Sequence, residues 1–163
     1  MKHKFARYFK MHMIEIIDYT DEYANDFRQL NLEWLNKYNV LEDHDLKIIY
    51  DPRSTILDGG GIIYLARSGD RIVGTAGLAN DGNSVFELVK MAVTPEYQGR
   101  GISKMLIEKC LHKATELKAK KIILYSNSQL VTAISLYKKY GFVYVDASDS
   151  PMFTADIKME LSL

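Results

Sequence analysis

The chain has almost no cysteine: Cys110 is its single thiol in 163 residues. One thiol forbids an intrachain disulfide and any zinc site of the multi-cysteine type, and fits a reducing, cytoplasmic setting. Charge of one sign is lacking too. The 21 Lys and Arg balance 21 Asp and Glu, for a formal charge of zero, so there is no net positive field to drive nonspecific nucleic-acid or anionic-membrane binding. No apolar run reaches the roughly 18 to 20 residues that cross a bilayer; the longest, such as residues 61–66, have strand length. What is present, 47% apolar and 26% charged residues, is the composition of a folded soluble domain. The length suits one domain with a real core. We place it at residues 13–163, after a basic extension, 1–12, that carries Lys2, Lys4, Arg7 and Lys10. The apolar stretch behind that extension is broken by Glu15 and lacks a small-residue cleavage site, so it is not a secretory signal.

Period-2 alternation predicts a first strand at 13–18. Phe27, Leu30, Trp34, Leu35 and Tyr38 recur at helical spacing behind N-cap oxygens at Thr20 and Asp21. A second helix, 42–50, is stopped by Asp51-Pro52. Strands at 62–67 and 71–79 flank Ser68-Gly69-Asp70, a hairpin turn, and a strand at 85–93 follows Asp81-Gly82-Asn83. The period then lengthens. Ile102, Leu106, Cys110, Ala114 and Leu117 form a helical stripe, 121–125 is a short buried strand, and Ala133, Leu136, Tyr137 and Tyr140 lie on a last helix closed by Gly141. Strands at 142–145 and 153–161 complete a mixed α/β sheet, mostly antiparallel, with one parallel crossover in its middle.

The sharpest feature is the junction from Val93 to Lys104, a turn that leaves a strand and opens a helix. Gly99 and Gly101 let backbone amides approach a ligand, and the helix start adds unpaired donors and a positive dipole end, a site suited to a phosphate. Nucleotide folds share this outline. A Walker loop, however, needs Gly-Lys-Ser/Thr, and the dinucleotide fingerprint needs a third glycine where Lys104 stands and an acid where Lys120-Lys121 stand.

Gln98-Gly99-Arg100-Gly101-Ile102-Ser103 resembles the pyrophosphate loop, Gln/Arg-x-x-Gly-x-Gly/Ala, of the GNAT superfamily of acyl-CoA-dependent N-acetyltransferases; Ser103 stands where Gly or Ala is usual. Residues 133–142, Ala-Ile-Ser-Leu-Tyr-Lys-Lys-Tyr-Gly-Phe, resemble the superfamily's later Ala-x-x-Leu-Tyr-x-x-x-Gly-Phe motif. The strand 86–93, ending in Thr94-Pro95, is similar to the strand that carries the acyl-CoA. The resemblance implies a GNAT fold with a splayed parallel strand pair, and acetyl-CoA as cosubstrate without a metal. Gln98, Gly99, Arg100, Gly101, Ile102, Ser103 and Lys104 would wrap the pyrophosphate. Met91, Ala92 and Val93 would meet the pantetheine arm along a bulged strand, an amide near Met91 would hold the thioester oxygen, and Asn127 would bond the pantetheine amide or serve only as a turn residue.

Aminolysis of a thioester must take a proton from the amine and gains from giving one to the thiolate. By the same resemblance, Glu87 is the base, directly or through water, against the plainer reading of a strand carboxylate paired with Lys90 or Arg100. Tyr137 is the proton donor, against plain core packing. Glu33, Trp34, Tyr38 and Glu42 lie on the helices that wall the acceptor pocket in this family, where they would draw a cationic amine, or else form an ordinary amphipathic surface. Cys110 reads as a buried hydrophobe, and Asp43-His44-Asp45 as helix-cap or solvated residues, not a metal site. The expected reaction is acetyl transfer to a primary amine, of a small molecule or a peptide, in a ternary complex. No nucleic-acid or membrane partner is expected, and a homodimer stays open. The rival is a noncatalytic acyl-CoA-binding module.

Overall fold

A computed structural model describes residues 13–163; the basic extension lies outside them. Seven strands form one sheet in the order β1-β2-β3-β4-β5-β7-β6: β1 (Ile14–Asp18), β2 (Ile62–Ser68), β3 (Arg71–Gly82), β4 (Val85–Val93), β5 (Lys121–Ser126), β6 (Val143–Val145) and β7 (Ile157–Ser162). Among the described residues, only β4 and β5 pair in parallel. The α-helices of the described residues are α1 (Ala24–Lys37), α2 (Asp43–Tyr50), α3 (Ile102–Glu116) and α4 (Val131–Lys139).

Alternation along the strands builds a core on each face of the sheet. In β2, Tyr64 and Ala66 pack with Ile102, Leu106 and Ile107 of α3 and with Ile134 and Tyr137 of α4. Ile63 and Leu65, pointing the other way, join Phe27 and Leu30 of α1 and Ile49 of α2. Cys110, on the inner side of α3, is buried.

Two departures from the sequence reading matter. The first helix does not start on a side-chain cap: Asp21–Tyr23 form a 3₁₀ turn before α1, and the Thr20 hydroxyl donates to Glu22 Oε1 at 2.9 Å instead. The last strand starts later than expected, at Ile157. Residues 153 and 154 donate their amides to the Glu42 carboxylate, both at 2.9 Å, and a backbone held that way cannot pair along the sheet.

Two irregularities place the site. β4 and β5 pair only at Val85, Phe86 and Glu87, against Lys121, Ile122 and Ile123; beyond Glu87 the parallel strands part. On its other side β4 is bulged, because Thr75 pairs Ala92 while Gly77 pairs Val89. Lys90 and Met91 thus oppose one residue of β3, and Lys90 takes φ 52°. That left-handed conformation costs an L residue about 1–3 kcal/mol.

Candidate active site

The parting of β4 from β5 opens a cavity of about 620 Å³ that reaches both faces of the sheet. Trp34, Leu35, Tyr38, His44 and Ile48 line its α1–α2 end. At the other end it meets the turn before α3 and one side of α4, through Gly99, Gly101, Ser103, Leu136 and Tyr137. β4 lines the passage between them from Glu87 to Val93.

The turn before α3 has the geometry of an anion cradle. Gly99 and Gly101 take φ 74° and 80°, and an added Cβ at either would project into open space. The first α3 bond runs from Met105 N–H to Gly101 O at 3.1 Å, so the amides of Ile102, Ser103 and Lys104 have no acceptor within the helix. The Gln98 side-chain amide donates to Val93 O at 3.0 Å and ties the turn to the end of β4. Arg100 is placed differently. It does not line the cavity; its guanidinium donates to Glu96 O at 3.0 Å and stacks over the Tyr97 ring.

Glu87 lines the cavity from β4, and no salt bridge with it forms among the described residues. Burial, with the nearby Asp81 charge, pushes its carboxyl up to about 7 against the pull of Lys90 and Lys158. At neutral pH it can therefore both take and hold a proton. Tyr137 is buried on the opposite face, tilted against Phe142 with ring centroids 5.9 Å apart. Desolvation raises its hydroxyl well above the ordinary tyrosine value, so it stays protonated. Met91, Ala92 and Val93 follow the bulge along the cavity. Asn127 lines it too, but its oxygen accepts Gln129 N–H at 2.9 Å and its amide donates to Thr154 O, so it builds the turn after β5. Burial lifts the Cys110 thiol to about 12, which keeps it protonated and inert as a nucleophile.

The acceptor wall differs from the sequence reading. Trp34 and Tyr38 line the cavity, whereas Glu33 and Glu42 do not. The Glu42 carboxylate is spent on the 153–154 amides and the Thr154 hydroxyl. Desolvation works against its ionisation, yet these bonds together hold it below the ordinary carboxylate range. Asp45 caps its helix, as the sequence suggested, its carboxylate accepting Glu42 N–H at 3.0 Å, but it is buried rather than solvated and is paired with Lys90. Sequence reasoning missed that pair, and also Tyr125, which lines the cavity from β5 under Lys158, itself bonded to Asp149 at 2.6 Å. Strand alternation places Tyr125 and Ile123 on one side, but only the β5–β7 pairing sets Tyr125 opposite Lys158.

The profile of the Acetyltransferase (GNAT) family matches residues 21–142, and the chain belongs to that family. N-acetyltransferase 8B of Rattus norvegicus is 28% identical over 95 residues, 55% of this chain and 43% of that protein. N-acetylaspartate synthetase of Homo sapiens is 31% identical over 91 residues, 55% of this chain and 30% of that one. The chain thus spans less than half the length of these relatives. A GNAT-family acetyltransferase from Staphylococcus aureus Mu50 superposes with a TM-score of 0.84 at 24% identity, covering 93% of this chain and 99% of that one. The PaiA N-acetyltransferase of Thermoplasma acidophilum, solved in complex with coenzyme A, gives 0.72 at 19% identity, covering 93% and 99%. At these identities the likeness is one of fold.

Proposed function

We propose that this chain moves an acetyl group from acetyl-CoA to a primary amine, by direct attack in a ternary complex. One observation carries the reading: a single cavity crosses the sheet between β4 and β5 and joins the glycine turn, the β4 bulge, Glu87 and Tyr137. The amides of 98–104 would hold the pyrophosphate, and the pantetheine would lie along Met91, Ala92 and Val93 like an added strand. Glu87 takes a proton from the alkylammonium, directly or through water. The freed nitrogen attacks the thioester carbon, and an amide at the bulge stabilises the oxyanion. The C–S bond then breaks as the Tyr137 hydroxyl protonates the thiolate; the extra proton on the attacking nitrogen leaves as the amide forms and restores the tyrosine hydroxyl, and Glu87 returns its own proton to solvent. No activated nucleophile lines the cavity among the described residues, which favours direct transfer over an acyl-enzyme.

Trp34 and Tyr38 give the acceptor end aromatic faces suited to an ammonium group. One relative's name specifies an acetylated amino acid, and free amino acids belong among the acceptors tried. The buried, inert Cys110 suits a reducing compartment such as the cytoplasm. Calorimetry tests the first step. Acetyl-CoA or CoA should bind well ahead of ATP or NAD, and a chain that binds neither CoA species, or prefers ATP or NAD, refutes the reading.

A further inference from the structure

β4 carries a charged L residue where the backbone favours glycine. Lys90, at φ 52°, is part of the bulge, and a Cβ resists that conformation. Its ammonium is nevertheless withdrawn from solvent, with the side chain 6% exposed, and bonded to Asp45 Oδ1, whose side chain is 3% exposed. The second oxygen, Asp45 Oδ2, accepts Glu42 N–H at 3.0 Å and closes the first turn of α2. One carboxylate therefore joins the start of α2 to the bulge, and both partners line the cavity.

We propose that Asp45 is a positioning residue for acetyl transfer: through Lys90 it pins the β4 bulge, and so keeps the amides beyond Glu87 in line with the thioester. The inference rests on the cavity being an acetyl-CoA site. Both Asp45 oxygens are already engaged, which leaves the residue poorly placed to act as a base. Nor is a buried ion pair an efficient source of stability, since apolar side chains of equal volume often do as well; the geometry it imposes is its distinctive effect.

Asp45→Asn alone strands a buried ammonium and can prevent folding, so the test uses two double variants. Asp45→Asn with Lys90→Met removes the pair but keeps a Cβ at the strained position. Asp45→Asn with Lys90→Gly removes the pair and lets the residue take the same φ without strain. In ligand-free protein, the NMR Cα and amide shifts of residues 89–92 report the bulge. They should move toward regular-strand values in the Met double and stay near wild type in the Gly double. With acetyl-CoA and amine saturating, kcat should fall about 10- to 100-fold in the Met double and largely recover in the Gly double, while the KM for acetyl-CoA changes little.

Unchanged bulge shifts in the Met double overturn the proposal, and so do two doubles slowed equally. A loss confined to the acceptor KM and differing between amines also overturns it, because the pair then contacts the acceptor. Acetyl-CoA binding by the wild type is measured separately. If that alone fails, the acetyl-transfer reading falls, and the positioning role falls with it, even where the shifts respond as expected.

Discussion

Glu87 holds its proton up to about pH 7 in the folded chain, against an ordinary value of 4.5. Between those values the native state binds a proton that the unfolded chain has released, so stability declines as pH rises through the window. Glu87→Gln should therefore be stabilising above pH 7, by an amount approaching about 3 kcal/mol, and nearly neutral at pH 4; thermal melts at both values check this. The same substitution should lower kcat by roughly 10²-fold or more at neutral pH, leave acetyl-CoA binding intact, and matter less as pH rises and more of the amine arrives neutral. A rate unchanged across neutral pH would return Glu87 to a structural role. Tyr137→Phe keeps the ring packed on Phe142 and deletes only the hydroxyl. Its expected effect is a lower kcat without loss of acetyl-CoA affinity, near the low end of the roughly 10²–10⁴-fold typical of acid–base groups, because a CoA thiolate is already a tolerable leaving group. Full activity with a good amine, or a loss of folding instead, would make Tyr137 a packing residue.

The turn before α3 and the clip on α2 each depend on a short piece of chain, and they differ in how far sequence could reveal them. Gly99 and Gly101 announce themselves locally, because a strand end, two glycines and a helix stripe follow within a few residues. Gly101→Val sets a β-branched residue at φ 80° and projects it into open space, so it should weaken CoA binding at least tenfold, the equivalent of about 1.4 kcal/mol, in a domain that still folds. Wild-type affinity in that variant would remove the turn from the cofactor site. The Glu42 clip joins residues 112 apart in sequence, and the Lys90–Asp45 pair residues 45 apart. No local periodicity encodes either, because each forms only when α2 is laid against the sheet. Hence Lys90 reads in sequence as a partner for Glu87, and residues 153–156 read as strand. Glu42→Gln keeps the length of the side chain but removes the charge that the 153 and 154 amides bond. It should cost about 1–2 kcal/mol at pH 7 and much less near pH 3, because a carboxylate held below its ordinary range stabilises above that range and stops doing so as it protonates. Urea melts at the two pH values read the difference.

Across the whole molecule, the order of elements and the periods that build two cores were legible in the sequence, since hydrophobic alternation is a local property. The cavity was not, because it exists where two parallel strands stop pairing after Glu87, and pairing partners are set by the sheet as a whole. Asn127 shows the same limit at a single position: it sits in the expected segment, and its side-chain amide is spent on Thr154 O, 27 residues away in sequence. If the cavity acetylates amines as proposed, CoA thiol is released only as an amine is consumed. Amine-dependent release of CoA thiol, followed across a panel of primary amines with acetyl-CoA saturating, tests that most directly. The prediction is thiol release matched by acetylated amine for at least one acceptor, rising with pH through about 7 and depressed in Glu87→Gln. Firm acetyl-CoA binding with no amine-dependent release from any acceptor would contradict it and leave an acyl-CoA-binding module in its place.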